Sequence, residues 1–430
     1  MEQIKKKCLK ILIDNSGYEL KNHGDLAMLQ VASERFKQHF PDAEIYIFTN
    51  APDRLKKLIP YAIPASLAGR KQWDAQWNII GSLHKLFPKS FYSWLDSREV
   101  FFKLKYHNFS RRWIEQRLSK RGYDMQPMHT YLALVQQADI VIATGGGYIT
   151  DTFERHALCV LKTLALAQAF GKPTALFGQG IGPLNNQKLL NFAKQVLPKL
   201  CQLSLREAVF SKHLALYVGV PENLIAITGD DAVTLAYSKA PLKLGRDIGV
   251  NLRIASYSGI KEDVLNGIRY NMNLASKMFD AKLIPIPISV HEGDSDIESL
   301  RMLLSDYDVD NTKLLDTPQK VIEQISLCRI VITGSYHAAV FALSQGISVV
   351  AIAASDYYRY KFEGLADQFG CACLIVDQDS STFSNDMKKI INSSWQNADE
   401  VRIGLLEQAK IQVHKSELAY DVFMTKKIKK

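Results

Sequence analysis

His337 stands in the sequence where a strand meets a helix. Cys328–Ile332 is an apolar run that reads as a buried strand, and the apolar segment around His337 reads as a helix ending at Gly346. Another strand candidate, Ser348–Ile352, follows at once. The histidine therefore falls in the first turn of a helix, just beyond the carboxyl end of a strand, where open α/β sheets bind ligands. Free backbone N–H groups and the positive end of the helix dipole favour an anion there. An imidazole added to them can hold a phosphate or move a proton near neutral pH. Ser335 precedes it by two positions and belongs to the same candidate site.

Other clusters could join it. Asn22-His-Gly-Asp25 follows the first strand and leads into residues at helical spacing, so Asp25 fits an N-cap or first-turn position. The functional reading puts Asn22 and Asp25 at a cleft, with Asp25 against an acceptor hydroxyl. Gly145, Gly146 and Gly147 follow a strand and allow a backbone to approach a ligand closely or form an anion nest. This is neither a Walker loop nor GxGxxG, and a tight turn is the bland alternative. Phe177-Gly-Gln179-Gly-Ile-Gly-Pro183 is a second glycine loop after a strand, and two such loops in one domain point to a shared ligand cleft. Arg206, in Ser204-Leu-Arg206-Glu207, could grip a phosphate or carboxylate bidentately, or simply pair with Glu207. Thr228-Gly-Asp230-Asp231 also ends a strand and reads as a cap for the next helix. His291 is a ligand-contact candidate at a strand end, whereas Asp294-Ser-Asp296 reads as capping and solvation, and no metal is assigned to it. Lys361 and Arg359 either add cations to the cleft or remain surface charges.

The elements that must position these residues alternate along the chain. Strands are expected at Cys8–Ile13, Glu44–Thr49, Asp139–Ala143, Thr174–Gly178, Gln202–Leu205 and Ile225–Ile227, with helices such as Asp25–His39, His156–Phe170 and Asn186–Leu200 between them. The pattern resumes with Asp247–Leu252, Lys282–Pro287, Lys313–Leu315, Arg329–Thr333, Ser348–Ala353 and Cys373–Val376. Such alternation predicts an α/β protein with parallel sheets. The polar stretch Tyr237–Arg246 divides it, giving two Rossmann-like domains facing a cleft, residues 1–240 and 241–430. The last helix, about Asn385–Lys410, could cross back to the first domain. Residues 70–125 break the pattern, holding four of the five tryptophans among Lys and Arg. They read as a helical insertion, either a lid packed on the body or a patch for an anionic membrane face.

Size and composition narrow the class. At 430 residues, 47% hydrophobic and 23% charged, the chain is long enough for two cores and too apolar for disorder. It shows neither an apolar run of membrane-spanning length nor a secretory signal. Six scattered cysteines read as buried thiols of a cytoplasmic protein. A net charge of +9 favours anionic partners, yet no zinc-finger spacing or RNA-recognition signature supports nucleic acid. The expected location is the cytoplasm, with peripheral contact on the inner face of the membrane as the sharper reading of the insertion.

Taken in order, Asn22-x-Gly-Asp25, the triple glycine, Gly-Gln-Gly-Ile-Gly-Pro, Ser-x-Arg206-Glu, Thr-Gly-Asp-Asp231, the strand-then-His337 helix and a Tyr before Lys361 resemble the polysaccharide pyruvyltransferase family, from about Asn15 to Gly370. The resemblance implies a two-domain fold like that of the GT-B glycosyltransferases. It implies transfer of a pyruvyl group from phosphoenolpyruvate to a sugar, as a ketal in a cell-surface polysaccharide or its lipid-linked precursor, without a cofactor. Arg206 and His337 match the family's functional Arg and His, and Lys361 a common downstream lysine. Ser335 is a departure, since many members carry Arg there. Phosphoenolpyruvate bears a phosphate and a carboxylate and needs a cationic, N–H-lined cleft. His337 is then acid/base or phosphate contact, Arg206 holds an anionic group, and Lys361 adds charge. The alternative is a GT-B-like glycosyltransferase with a nucleotide-sugar donor, a diphosphate at the His337 helix, and Asp25 or Asp151 as acceptor base. A non-enzymatic binder of anionic glycans would explain the charge but not the glycine loops.

Overall fold

The computed structural model describes residues 8–75, 98–252, 262–292, 294–304 and 314–428. The first sheet contains β1 (Lys10–Asp14), β2 (Glu44–Phe48), β3 (Ala62–Ala65), β4 (Ile140–Ala143), β5 (Gly146–Ile149), β6 (Thr174–Ile181), β7 (Gln202–Leu205) and β8 (Ile225–Ile227). Their order is β3-β2-β1-β4-β6-β7-β8, with β5 beside β6 off this path, and every pairing is parallel. Both faces are apolar because both are covered. Ile11, Ile13, Ile140 and Ile142 pack with Leu26, Leu29 and Phe36 of the His23–His39 helix. Leu12, Val141 and Leu176 face the opposite way, into a cluster with Leu161 and Leu164 of the Glu154–Ala169 helix. A one-residue slip of β1 would exchange these two sets, so the partners Ile11↔Ile45 and Ile11↔Ile140 hold the register.

The second sheet is built from β9 (Asp247–Asn251) and β10 (Leu283–Pro285), then, after the antiparallel pair β11 (Val290–His291) and β12 (Asp294–Ser295), from β13 (Cys328–Thr333), β14 (Ser348–Ala353) and β15 (Cys373–Asp377). Its order, β10-β9-β13-β14-β15, is again all parallel. Strand order reverses between β1 and β4 in the first sheet and between β9 and β13 in the second. Ligands bind outside such switch points, and Gly147 of β5 and His337 of the Tyr336–Ser344 helix follow just beyond the ends of β4 and β13.

The two halves meet through apolar and backbone contacts. Ala27 and Met28 of the first helix share a core cluster with Ala232, Val233 and the wholly buried Tyr336–Ser344 helix. His23 N–H donates to Ile288 O at 2.8 Å and Val290 N–H to Lys21 O at 2.9 Å, tying the first helix to the second domain. The carboxyl-terminal region is two helices, Phe383–Gln396 and Ala398–Ile428, rather than the single one expected near Asn385–Lys410. In the long second helix Leu405 and Ala409 pack with the second domain, while Tyr420, Phe423 and Met424 join Phe36 and Phe177 in the first. The Tyr420 ring stacks on Phe177 with centroids 3.8 Å apart.

Three expectations are corrected. Leu314 and Leu315 form no strand, and Lys313 lies outside the described residues. β3 was missed because Pro64 sits inside it; the strand lies at the sheet edge, where a residue without N–H is tolerated. β5 was missed because its glycines read as a turn, although Tyr148 and Ile149 are buried. The insertion is helical at Ala68–Ala75, 98–105 and His107–Lys120. Trp73 is buried beneath Lys103, whose ammonium lies 4.2 Å from the ring centroid, while Trp77 and Trp94 fall outside the described residues. Phe102, Tyr106 and Phe109 are exposed beside Lys105, Arg111 and Arg112. Among the described residues no helix is long and apolar enough to cross a membrane.

Candidate active site

A cavity of about 450 Å³ opens between the carboxyl ends of the two sheets. It gathers Asn22, Asp25, Gly147, Arg206, His291, Ser335, His337 and Lys361, eight of the residues singled out in the sequence. Asn22 is the N-cap of the first helix, its Oδ1 accepting from Gly24 N–H at 3.0 Å and Asp25 N–H at 3.1 Å, so Asp25 sits in the first turn. Ser335 is the N-cap of the Tyr336–Ser344 helix, with its N–H donating to Thr333 Oγ1 at 2.8 Å. Gly24 has its own reason. A Cβ there would lie 1.9 Å from His337 Cγ, so only glycine lets the first helix close over the imidazole.

The centre of the site is Arg206, Asp230 and His337. Arg206 Nε lies 3.3 Å from Asp230 Oδ2 and donates to Gly178 O at 3.3 Å. His337 Nε2 lies 3.7 Å from the same Asp230 oxygen, beyond hydrogen-bond reach. The guanidinium carbon stands 4.6 Å from the Tyr336 ring centroid. All three side chains are buried; Arg206 Nη2 and His337 Nε2 have no hydrogen-bond partner among the described residues, and Asp230 Oδ2 has the Arg206 ion pair but no hydrogen bond. Buried polar atoms are nearly always paired, so these under-satisfied atoms gathered in one cleft make it a candidate ligand site.

Burial alone would raise the Asp230 carboxyl, but the charges of Arg206 and His337 outweigh it and hold the group below the ordinary carboxylate value. Burial likewise opposes the Arg206 charge, while Tyr336 and Asp230 keep it raised. A depressed acid stabilises the fold above its unfolded pKa, and that contribution is lost as pH falls through the folded value. Stability should therefore drop below about pH 4, and Asp230→Asn should make this acid branch shallower while lowering stability at neutral pH. Urea midpoints across the acid range check it; parallel branches would remove the assignment.

Lys361, on the Asp356–Phe369 helix, lines the same cavity, with its ammonium 4.0 Å from the Tyr357 ring centroid and 5.9 Å from that of Tyr336. Tyr357 OH donates to Gly147 O at 3.1 Å, joining that helix to the glycine loop. Gly145, Gly146 and Gln179 do not line the cavity. Gln179 is fully buried, and its amide donates to Gly146 O and Gly180 O, both at 2.7 Å, strapping the two glycine loops together. Gly145 packs against the Gly178 carbonyl, which a Cβ would meet at 2.1 Å. Glu207 does not pair with Arg206; it accepts from Phe210 and Ser211 N–H at 2.8 Å. Arg359 is held by Asp377. Asp296 accepts from Ile288 and Ser289 N–H and from Asn251 Nδ2, a structural role. No group of three or more His, Cys, Asp or Glu able to hold a metal occurs among the described residues.

The chief residue missed in the sequence is Asp230. It does cap, accepting from Ala232 N–H at 2.9 Å through Oδ1, while Oδ2 faces Arg206 and His337. The signal lay in two motifs, around Arg206 and Asp230, ending successive strands that pair as β7 and β8. Ser16 and His156 also line the cavity. Burial lowers the His156 pKa, keeping a neutral ring between Tyr18 and Tyr148. Behind Asp230, the Asp231 carboxylate accepts from Ser416 Oγ at 2.6 Å and Tyr420 OH at 2.7 Å, so the last helix supports the loop.

The profile of the family described as polysaccharide pyruvyl transferase matches residues 22–356. The chain belongs to that family. In this pyruvyl transferase family member, a transferase, the match includes Arg206, Asp230 and His337; Lys361 and the last helix lie beyond it. No curated protein matches the sequence significantly. Among solved structures, Anabaena HepE in complex with UDP has a TM-score of 0.52 at 11% identity, covering 98% of this chain and 99% of that one. A glycosyltransferase from Rickettsia africae has a TM-score of 0.51 at 10% identity, covering 98% and 100%. The UDP-GlcNAc 2-epimerase from Neisseria meningitidis bound to UDP-GlcNAc has 0.50 at 12%, covering 98% and 100%. At such identities the likeness speaks for the fold, which is GT-B.

Proposed function

We propose that the protein transfers a pyruvyl group from phosphoenolpyruvate to two hydroxyls of a saccharide destined for a cell-surface polysaccharide, free or on a lipid-linked precursor. The observation that carries this is the buried Arg206–Asp230–His337 cluster, with Arg206 Nη2 and His337 Nε2 unpartnered, in a cavity that Lys361 also lines. Arg206 and Lys361 supply charge for the donor's phosphate and carboxylate, and the first-turn N–H groups of the Tyr336–Ser344 helix add to it. His337 donates a proton to the donor's methylene, which becomes a methyl group and leaves cationic character on the carbon bearing phosphate. One acceptor hydroxyl attacks that carbon and passes its proton to Asp25. Phosphate departs with the C–O bonding pair, and the second hydroxyl closes the ketal as its proton leaves with phosphate. The C=C π bond, the C–O bond to phosphate and two hydroxyl O–H bonds are thus exchanged for a methyl C–H, two ketal C–O bonds and an O–H on the released phosphate. The proton taken by Asp25 replaces the one given by His337, and there is no redox change.

A nucleotide-sugar donor is the second reading. The UDP and UDP-GlcNAc held by the Anabaena and Neisseria proteins support it, and Ser335 at the helix N-cap does not disfavour it. Ligand-induced stabilisation separates the two, since a ligand at a hundredfold its Kd adds about 2.7 kcal/mol to stability. Phosphoenolpyruvate should raise Tm, His337→Ala should abolish turnover with the fold retained, and UDP should have little effect. A shift with UDP or a UDP-sugar and none with phosphoenolpyruvate would overturn the pyruvyl reading.

A further inference from the structure

The Phe177–Pro183 segment has glycines that face two different neighbours, Arg206 and the Ser211–Tyr217 helix. A Cβ on Gly182, at φ +105°, would meet Leu214 Cδ1 at 2.2 Å, whereas one on Gly180 would lie 3.6 Å from Arg206 Cδ. The segment is thus a thin partition, with Arg206 against one part of it and the Ser211–Tyr217 helix against another. It walls a second cavity of about 640 Å³, which shares Gly147, Arg206, Tyr336, Tyr357 and Lys361 with the catalytic cavity. Beyond that shared wall Ile181, Leu184, Leu190, Val209, Phe210 and Leu214 make the lining mainly apolar, with Asn185 and His213 among them. Tyr217, 63% exposed, and Tyr360, 39% exposed, stand at its rim.

We propose that this cavity is an acceptor subsite for a hydrocarbon group attached to the saccharide whose hydroxyls react. The inference rests on the reading of the site as one that joins a donor to a saccharide hydroxyl. Whatever fills the second cavity touches Arg206 and Lys361, so it must belong to a reactant. A small dianionic donor gains nothing from Leu184 or Phe210. A bare saccharide would press hydroxyls against Ile181, Leu184 and Leu190, losing water without gaining partners. A nucleobase needs donors and acceptors at its edge. The nearby Glu207 carboxylate is already occupied by Phe210 and Ser211 N–H and Ser211 Oγ by Ile181, so a base edge would have to rely on Asn185 and His213, which displacement by UDP tests. A hydrocarbon chain makes no such demand and gains by leaving water. The arrangement holds the reacting sugar near the shared cations while its apolar carrier leaves through the tyrosine rim.

Calorimetric titration of the full chain with n-alkyl β-D-glucopyranosides, methyl to octyl, below micelle-forming concentration and without donor, tests this. Affinity should rise roughly fourfold per methylene until the cavity is filled. Leu184→Asn should flatten the series, as should Val209→Asn at a more exposed position that spares the fold; His337→Ala should leave it intact. A flat series in the wild type, or a rise untouched by both Asn variants, overturns the subsite. Displacement of the octyl glucoside by UDP but not by phosphoenolpyruvate would assign the cavity to a nucleoside and also overturn it. With no donor present, the result stands apart from the phosphoenolpyruvate assignment, which fails or survives on its own measurement.

Discussion

Arg206→Ala should lower kcat/KM by roughly 10³-fold and cost about 3–5 kcal/mol of stability. Both losses follow from one geometry. The guanidinium is buried against Asp230, the Gly178 carbonyl and the Tyr336 ring, with Nη2 lacking a hydrogen-bond partner among the described residues. Its removal takes away a charge preorganised for the donor's anionic group. It also strands the Asp230 carboxylate, which is fully buried and loses the largest influence holding its pKa down. The two effects can be separated by adding Asp230→Asn to Arg206→Ala. The neutral amide needs no cation, so the double variant should recover much of the lost stability while turnover stays abolished. Activity within tenfold of wild type in Arg206→Ala would remove Arg206 from the site, and a double variant no more stable than the single one would show that the pairing with Asp230 is not what stabilises the fold.

The second large effect is expected from a single methyl group. Gly24→Ala puts a carbon 1.9 Å from His337 Cγ and 2.2 Å from Nδ1, closer than any real contact, so either the imidazole or the first helix must move. Displacement of a catalytic group by about 1 Å costs on the order of a hundredfold in rate, and kcat should fall by that much. Donor affinity should change little, because Arg206 and Lys361 lie on other elements. Helix propensity alone would make the same change favourable by about 1 kcal/mol. A variant of normal Tm with crippled kcat is therefore the expected outcome, and a normal kcat would mean that His337 does not act from the position seen here.

Much of this arrangement was legible because strands buried on both faces are continuous apolar runs. Ile140–Ala143 and Ser348–Ala353 could be placed within a residue or so on that ground. The candidate site was legible where reactive side chains sit just beyond strand ends, as do Arg206 and His337, which the structure brings to one cavity. It was not legible where a residue serves two masters. Asp230 looked like a cap and is one, but its second oxygen is aimed by strand order, which residue spacing does not encode. Gln179 shows the reverse. It sits between glycines in a loop-like motif, yet its amide is spent inside the protein on two backbone carbonyls. Gly24 resisted reading altogether, since the group it makes room for lies in the other domain.

The last helix has a consequence for how the chain is made. All strands of the first sheet have been synthesised by Ile227, yet the face carrying Phe36 and Phe177 is completed by Tyr420 and Phe423, which arrive only after the whole second sheet. A ribosome-bound chain therefore holds an open apolar face on its first domain while the second is being translated. That is the kind of surface on which nascent chains aggregate or recruit chaperones. The amino-terminal domain released alone should behave as an incomplete body, and its solubility should be restored by supplying the Ala398–Ile428 helix in trans.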